Sequence, residues 1–178
     1  LAGELAEADR LADTLDQAWR GSQTLSARVA AVAYAGHGWP VFPLVVGGKT
    51  PATKNGFKDA TTDPDRIVRY WERHPNANIG VATGVKFDVI DVDYGHPGAA
   101  LKWADIRDSG IEFDALVTTP GGLHAYRLPT GAGNSAAVGG HKGIDYRGKG
   151  GYVVVPPSVR PDGRYRWWSY PSPRLLKG

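Results

Sequence analysis

Phe87-Asp88-Val89-Ile90-Asp91-Val92-Asp93 is the stretch on which the fold turns. Its Val and Ile content and the turn signal at Gly84 predict a strand, in which side chains two apart share a face. Asp91 and Asp93 then stand side by side while Ile90 and Val92 face the core. Neighbouring carboxylates repel, and each is costly to hold in a half-buried sheet. A hard divalent cation removes that cost, because Mg²⁺ takes carboxylate oxygens together with substrate phosphates. The same pair also suits a solvated sheet face or a strand-end cap; the apolar flanks favour the metal.

Outward from this strand, the pattern is mixed. Upstream, Asn78–Thr83 predicts another strand, and residues 64–73 a helix with Asp63 as N-cap and Pro64 in the first turn. A loop at 47–60 carries Lys49, Lys54 and Lys58. Before it, the apolar run Trp39–Val46 holds two prolines, which confine it to an edge or irregular strand. A helix over about 24–35 precedes that, and another is predicted over 1–20 from Leu1, Leu5, Leu11, Leu15 and Trp19. Downstream come a helix at about 98–108, strands near 115–118 and 123–128, and a Gly/Ala/Ser-rich loop at 129–140. Strands near 143–147 and 151–155 follow, and the last, Tyr165–Trp168, is entered through Asp162-Gly163. The expected class is α+β, mainly antiparallel in the second half, with residues 1–22 as an N-terminal helical extension.

Composition narrows the chemistry. The chain has 178 residues, 42% of them apolar, enough for a core. No apolar run reaches the ~18–20 residues of a membrane span, and no export signal opens the chain, so a cytoplasmic, membrane-free protein is expected. Without cysteine, disulfides, thiolate catalysis and Cys-based zinc sites are excluded. The start at Leu1 and the lack of methionine suggest a piece of a longer protein with further domains. Net charge is only +3 but uneven: residues 121–178 hold nine Lys/Arg against two Asp, a balance of +7. That suits a polyanionic partner, nucleic acid or triphosphate, or an ordinary basic surface.

Two more stretches carry chemistry. In Thr119-Pro-Gly-Gly-Leu-His124, glycines permit close backbone approach by a ligand, and His124 opens a strand, as a phosphate contact or a structural histidine. In Gly143-Ile-Asp145-Tyr-Arg147-Gly-Lys149-Gly-Gly151, Asp145 supplies a third carboxylate. Arg147 and Lys149 flank glycines able to wrap a triphosphate; a plain β-hairpin with a basic turn is the other reading. This is no P-loop, since the glycines lead into a strand rather than a helix. Three carboxylates, a histidine and a basic turn together match two-metal phosphoryl transfer, with cations ~3.5–4 Å apart. The lysines at 49, 54 and 58 either contact template or triphosphate or are solvated. Trp167, Trp168 and Tyr170 either stack on bases or fill the core.

Several ordered motifs together resemble the bifunctional DNA primase/polymerase N-terminal domain of the archaeo-eukaryotic primase superfamily. They are Ala33–Leu44, Gly48-Lys-Thr-Pro51, Gly56–Thr61, Asn78–Gly84, Asp88–Asp93, Thr119–His124, Gly143–Tyr152 and Pro156-Pro-Ser158, covering roughly 25–168. The resemblance implies a catalytic domain over 23–178. Its expected fold is an α/β N-terminal unit plus an RNA-recognition-motif-like subdomain, with the active site between them. It implies Asp91, Asp93 and Asp145 as catalytic metal ligands for two Mg²⁺ or Mn²⁺ ions. His124 is implied as a nucleotide contact, with Arg147, Lys149 and Ser158 as further candidates. The implied partners are nucleoside triphosphates and a single-stranded DNA template or primer-template, in plasmid- or phage-type replication. The zinc stem of some plasmid relatives cannot be built here, so no zinc is expected. A sugar-nucleotide glycosyltransferase would explain Asp91 and Asp93 but gives Asp145 and His124 no linked role. A non-catalytic nucleic-acid-binding replication module would explain the basic C-terminal third but not three carboxylates.

Overall fold

The computed structural model describes residues 26–176. The helix expected over 1–20 and the start of the one expected from 24 lie outside these residues. None of the described helices is long and apolar enough to cross a membrane.

Local chemistry accounts for the helices. Helix α1 (Ala27–Gly36) starts on Ser26, whose hydroxyl accepts from the Val29 N–H. Helix α2 (Pro64–Arg73) starts on Asp63, whose carboxylate accepts from the N–H groups of Asp65 and Arg66. It buries Ile67 and Trp71, one turn apart. Helix α3 (Ala99–Asp108) buries Ala99 and Trp103 in the same way.

The strands form two main antiparallel sheets, consistent with the expected α+β class. Strand β1 (Val41–Leu44) pairs with β2 (Asn78–Ala82), and β2 pairs with β7 (Tyr152–Val155). Pro43 is tolerated because β1 is the edge strand. The 47–60 loop and the residue after it then cover that edge: Ala52 N–H donates to Pro43 O at 2.9 Å, and Val41 exchanges hydrogen bonds with Thr61. The larger sheet has the order β10 (Arg166–Ser169), β4 (Ala115–Thr118), β5 (Gly122–Arg127), β3 (Asp88–Asp93), β6 (Ile144–Arg147). A two-stranded ribbon, β8 (Val159–Arg160) with β9 (Gly163–Arg164), turns through Pro161-Asp162. A short helix, α4 (Pro173–Leu176), follows β10.

The larger sheet has a different core on each face. Ile90, Val92, Leu123, Ala125 and Ile144 pack beneath Trp103 of α3. Val89, Val117, Tyr126 and Trp167 join the main core, centred on the fully buried Trp39. That indole stacks on Tyr34 at 5.2 Å, meets Phe87 edge-on at 4.6 Å, and donates to Leu175 O at 3.1 Å.

The strands on either side of Gly148–Gly151 do not form the hairpin that their spacing allows. β6 belongs to the larger sheet and β7 to the smaller, so the glycine turn is a crossover. The β2-to-β3 connection crosses too, and the two crossovers touch. Thr83 donates from its hydroxyl to Gly148 O at 2.7 Å and from its N–H to Gly151 O at 3.0 Å. Gly84 has φ +79°, and a Cβ there would lie 2.4 Å from the Lys149 Cα. Both the left-handed backbone, at about 1–2 kcal/mol, and the backbone clash oppose any side chain. Gly84→Ala is therefore expected to lower the unfolding free energy by at least ~2 kcal/mol in urea denaturation. An unchanged midpoint would contradict this account of the junction.

Candidate active site

Along β3 the face bearing Val89, Asp91 and Asp93 runs from core to solvent. Val89 is fully buried, Asp91 half-buried and Asp93 exposed. Register then fixes the neighbours. Asp91 lies opposite His124 on β5 and opposite Asp145 on β6, so the three side chains stand abreast. Asp93 lies opposite Gly122, where a Cβ would sit 1.9 Å from Val92 O. Only glycine lets β3 and β5 close at that point.

The charges are tightly coupled. An Arg147 guanidinium nitrogen, Nη2, lies 2.8 Å from Asp145 Oδ2 and 3.1 Å from Asp91 Oδ2. Both carboxylates are about a quarter exposed, so the guanidinium offsets their repulsion with reduced screening by water. The other Asp145 oxygen accepts from the Ala137 N–H at 3.0 Å. Asp93 is held by the Gly95 N–H at 2.9 Å, with His96 Nε2 at 3.7 Å. His124 is buried, with Nε2 3.5 Å from Asp91 Oδ1 and no hydrogen-bond partner on Nδ1. Burial holds its imidazole below the usual histidine range, against the opposing pull of Asp91. It is therefore neutral near pH 7 and has one N–H to donate.

These groups floor a polar cleft of about 630 Å³ at the junction of the two sheets. Tyr152, Val153 and Val154 of β7 form part of the facing wall, and Lys49 reaches in from the loop over β1.

A family model described as "Bifunctional DNA primase/polymerase, N-terminal" matches residues 31–175. The chain belongs to that family. No curated protein matches the chain. Membership points to a DNA primase/polymerase enzyme with nucleotides and DNA as substrates.

Within this primase/polymerase domain, Asp91, Asp93, Asp145, His124, Arg147 and Lys49 all line the cleft. Other expected site residues do not. Ser158, expected among the nucleotide contacts, is buried, and its hydroxyl accepts from the Ile79 N–H at 2.9 Å. It closes the end of the β2–β7 pair rather than facing a ligand. Lys54, Lys58 and Lys149 are exposed and outside the cleft lining; beside Lys149, it is Gly150 and Gly151 that border the cleft.

The lining residues not anticipated include Asn134, Arg160, Asp162 and Tyr165, and also His96. The ribbon of β8 and β9 delivers Arg160 and Asp162, paired at 2.8 Å, and Tyr165 follows it directly. Asp162-Gly163 signals that turn, but strands of two residues leave no periodicity to read. Asn134 comes from the 129–140 loop. Its side-chain oxygen accepts from the Gly148 N–H at 3.1 Å and would stand 2.2 Å from any Cβ at Gly151.

The donor set is carboxylate oxygen throughout, which suits Mg²⁺ or Mn²⁺. Among the described residues no three His, Asp or Glu groups converge on one point as the side chains stand. At the Asp91–Asp145 pair the Arg147 guanidinium joins the two carboxylates instead.

Proposed function

We propose that this domain performs template-directed nucleotidyl transfer, adding nucleoside triphosphates to a strand held on single-stranded DNA or a primer-template. The observation that carries the proposal is the strand register: Asp91 stands between Asp145 and His124, with Asp93 two residues along the same face. The cleft at the sheet junction also supports an archaeo-eukaryotic primase fold, in which the active site lies between two subdomains. Asp91, Asp93 and Asp145 would hold two Mg²⁺ or Mn²⁺ ions. Bound there, such ions supply charge stabilisation for the attacking 3′-oxygen and the leaving pyrophosphate.

The chain's own residues supply the rest. Arg147 and Lys49, which both line the cleft, neutralise triphosphate oxygens. Neutral His124 donates to a phosphate oxygen without adding charge beside Asp91. For Arg147 the proposed exchange is from Asp91 and Asp145 onto phosphate, where its planar fork makes paired contacts that lysine cannot. Plasmid- or phage-type replication is the proposed setting.

The test is a primer-extension and de novo priming assay with Mg²⁺ or Mn²⁺ and each nucleotide type. Template-dependent products support the proposal; no incorporation under any combination overturns it. Arg147→Ala is expected to weaken nucleotide affinity by roughly one to two decades, measured by titration at saturating Mn²⁺. Its melting temperature should also rise more on adding Mn²⁺ than that of the unaltered protein, because Asp91 and Asp145 lose their internal counter-charge. Equal affinities and equal Mn²⁺ responses would reduce Arg147 to a structural ion pair.

A further inference from the structure

β10 ends the larger sheet, and its pairing with β4 slips. Arg166 faces Thr118, Trp167 faces Val117, and Ser169 faces Leu116, leaving Trp168 unmatched in the ladder. Such a bulge re-aims side chains, and bulges concentrate at sheet edges and beside active sites. Here it separates two adjacent indoles. Trp167 is buried, its ring 5.4 Å from that of Tyr126, whereas Trp168 is 70% exposed. Packing gives no reason to hold the largest side chain in water.

The surroundings point to a ligand. Arg164 and Arg166 are exposed on the same stretch, and no carboxylate among the described residues pairs with either. From Gly163 to Gly178 the chain has four Lys/Arg and no acid. Tyr165, between the two arginines, lines the cleft with its ring 5.9 Å from His124. It also lines a shallow depression with Arg164, Arg166 and Tyr170, beside Pro156 and Pro157. One short segment thus connects the carboxylate cleft to an exposed, basic, aromatic edge.

We propose that Arg164, Arg166 and Trp168 bind single-stranded DNA leaving the cleft, the arginines on phosphates and the Trp168 indole stacked on an unpaired base. Stacking suits single strands because every base has a π-face and none is shielded by pairing. The position of this surface as an exit path rests on the cleft holding a template, as proposed above.

The experiment is fluorescence anisotropy of a labelled oligothymidylate and of a blunt duplex of equal length, titrated with the full chain at several salt concentrations. The proteins are the unaltered chain, Trp168→Ala, Trp168→Phe, and the double variant Arg164→Gln/Arg166→Gln, each checked by melting. Trp168→Ala should weaken single-strand binding by roughly 5- to 150-fold, with Trp168→Phe restoring much of it. The double variant should flatten the log–log salt dependence by about 0.7 for each phosphate that is no longer neutralised. If the variants bind the single strand as the unaltered chain does, this surface is refuted while the templated activity stands. Equal weakening on the duplex refutes the stacking role. If the unaltered chain binds no single strand at all, the templated function fails and this inference with it.

Discussion

Asp91→Asn is expected to reduce nucleotide incorporation by at least roughly 10²–10³-fold while leaving the domain folded. The loss is large because Asp91 is the central group of the site, in register with both Asp145 and His124. An amide in its place keeps the shape but cannot supply the negative oxygen a divalent cation needs. Folding should survive for an electrostatic reason. The present cluster sets two carboxylates against one guanidinium, and the variant leaves Arg147 matched one-to-one with Asp145. Asp91 is also half-buried rather than sealed, so no isolated charge is left in the core. Steady-state primer extension together with a thermal melt checks both parts. A variant that is folded and still active within a few-fold would remove Asp91 from the chemistry.

Trp39→Ala is expected to cost about 3–5 kcal/mol, the range for truncating a buried tryptophan. That is a large share of the roughly 5–15 kcal/mol holding a typical domain together. Trp39 is fully buried and meets four aromatic rings of the main core: Tyr34 of α1, Phe87 ahead of β3, Tyr126 of β5 and Trp167 of β10. Its indole N–H also ties α4 through Leu175 O. Tyr126 lies two residues beyond His124, so loosening this cluster loosens the cleft floor. Chemical denaturation should show a much lower midpoint, with reduced activity even where the variant remains mostly folded. A loss below ~1 kcal/mol would mean that the core collapses readily around the vacancy.

The legible parts of the fold were those with local causes. Asp63 and Pro64 announce α2, and the alternation of acids with Val and Ile announces β3 and its two faces. Strand partnership was not legible, because a strand–glycine–strand pattern looks the same whether it closes a hairpin or changes sheets. Residues 143–155 do the latter. For the same reason the motif chemistry groups Asp145 with Asp91 and Asp93 without saying how they meet, whereas register puts Asp145 directly opposite Asp91. The Arg147 bridge follows from that register too. The burial of Ser158 is not legible in its motif, which carries no sign of it. Trp167 and Trp168 could not be told apart because a bulge breaks the two-residue alternation between them.

The most direct measurement of the central claim is anomalous scattering from crystals of the full chain grown with Mn²⁺ and a non-hydrolysable nucleoside triphosphate. Mn²⁺ peaks are expected about 2.1 Å from carboxylate oxygens of Asp91 and Asp145. One ion should also reach Asp93, and the Arg147 guanidinium should have moved from the two carboxylates onto the triphosphate. Nucleotide bound elsewhere, or Mn²⁺ absent from the cleft with Arg147 still bridging Asp91 and Asp145, would contradict it.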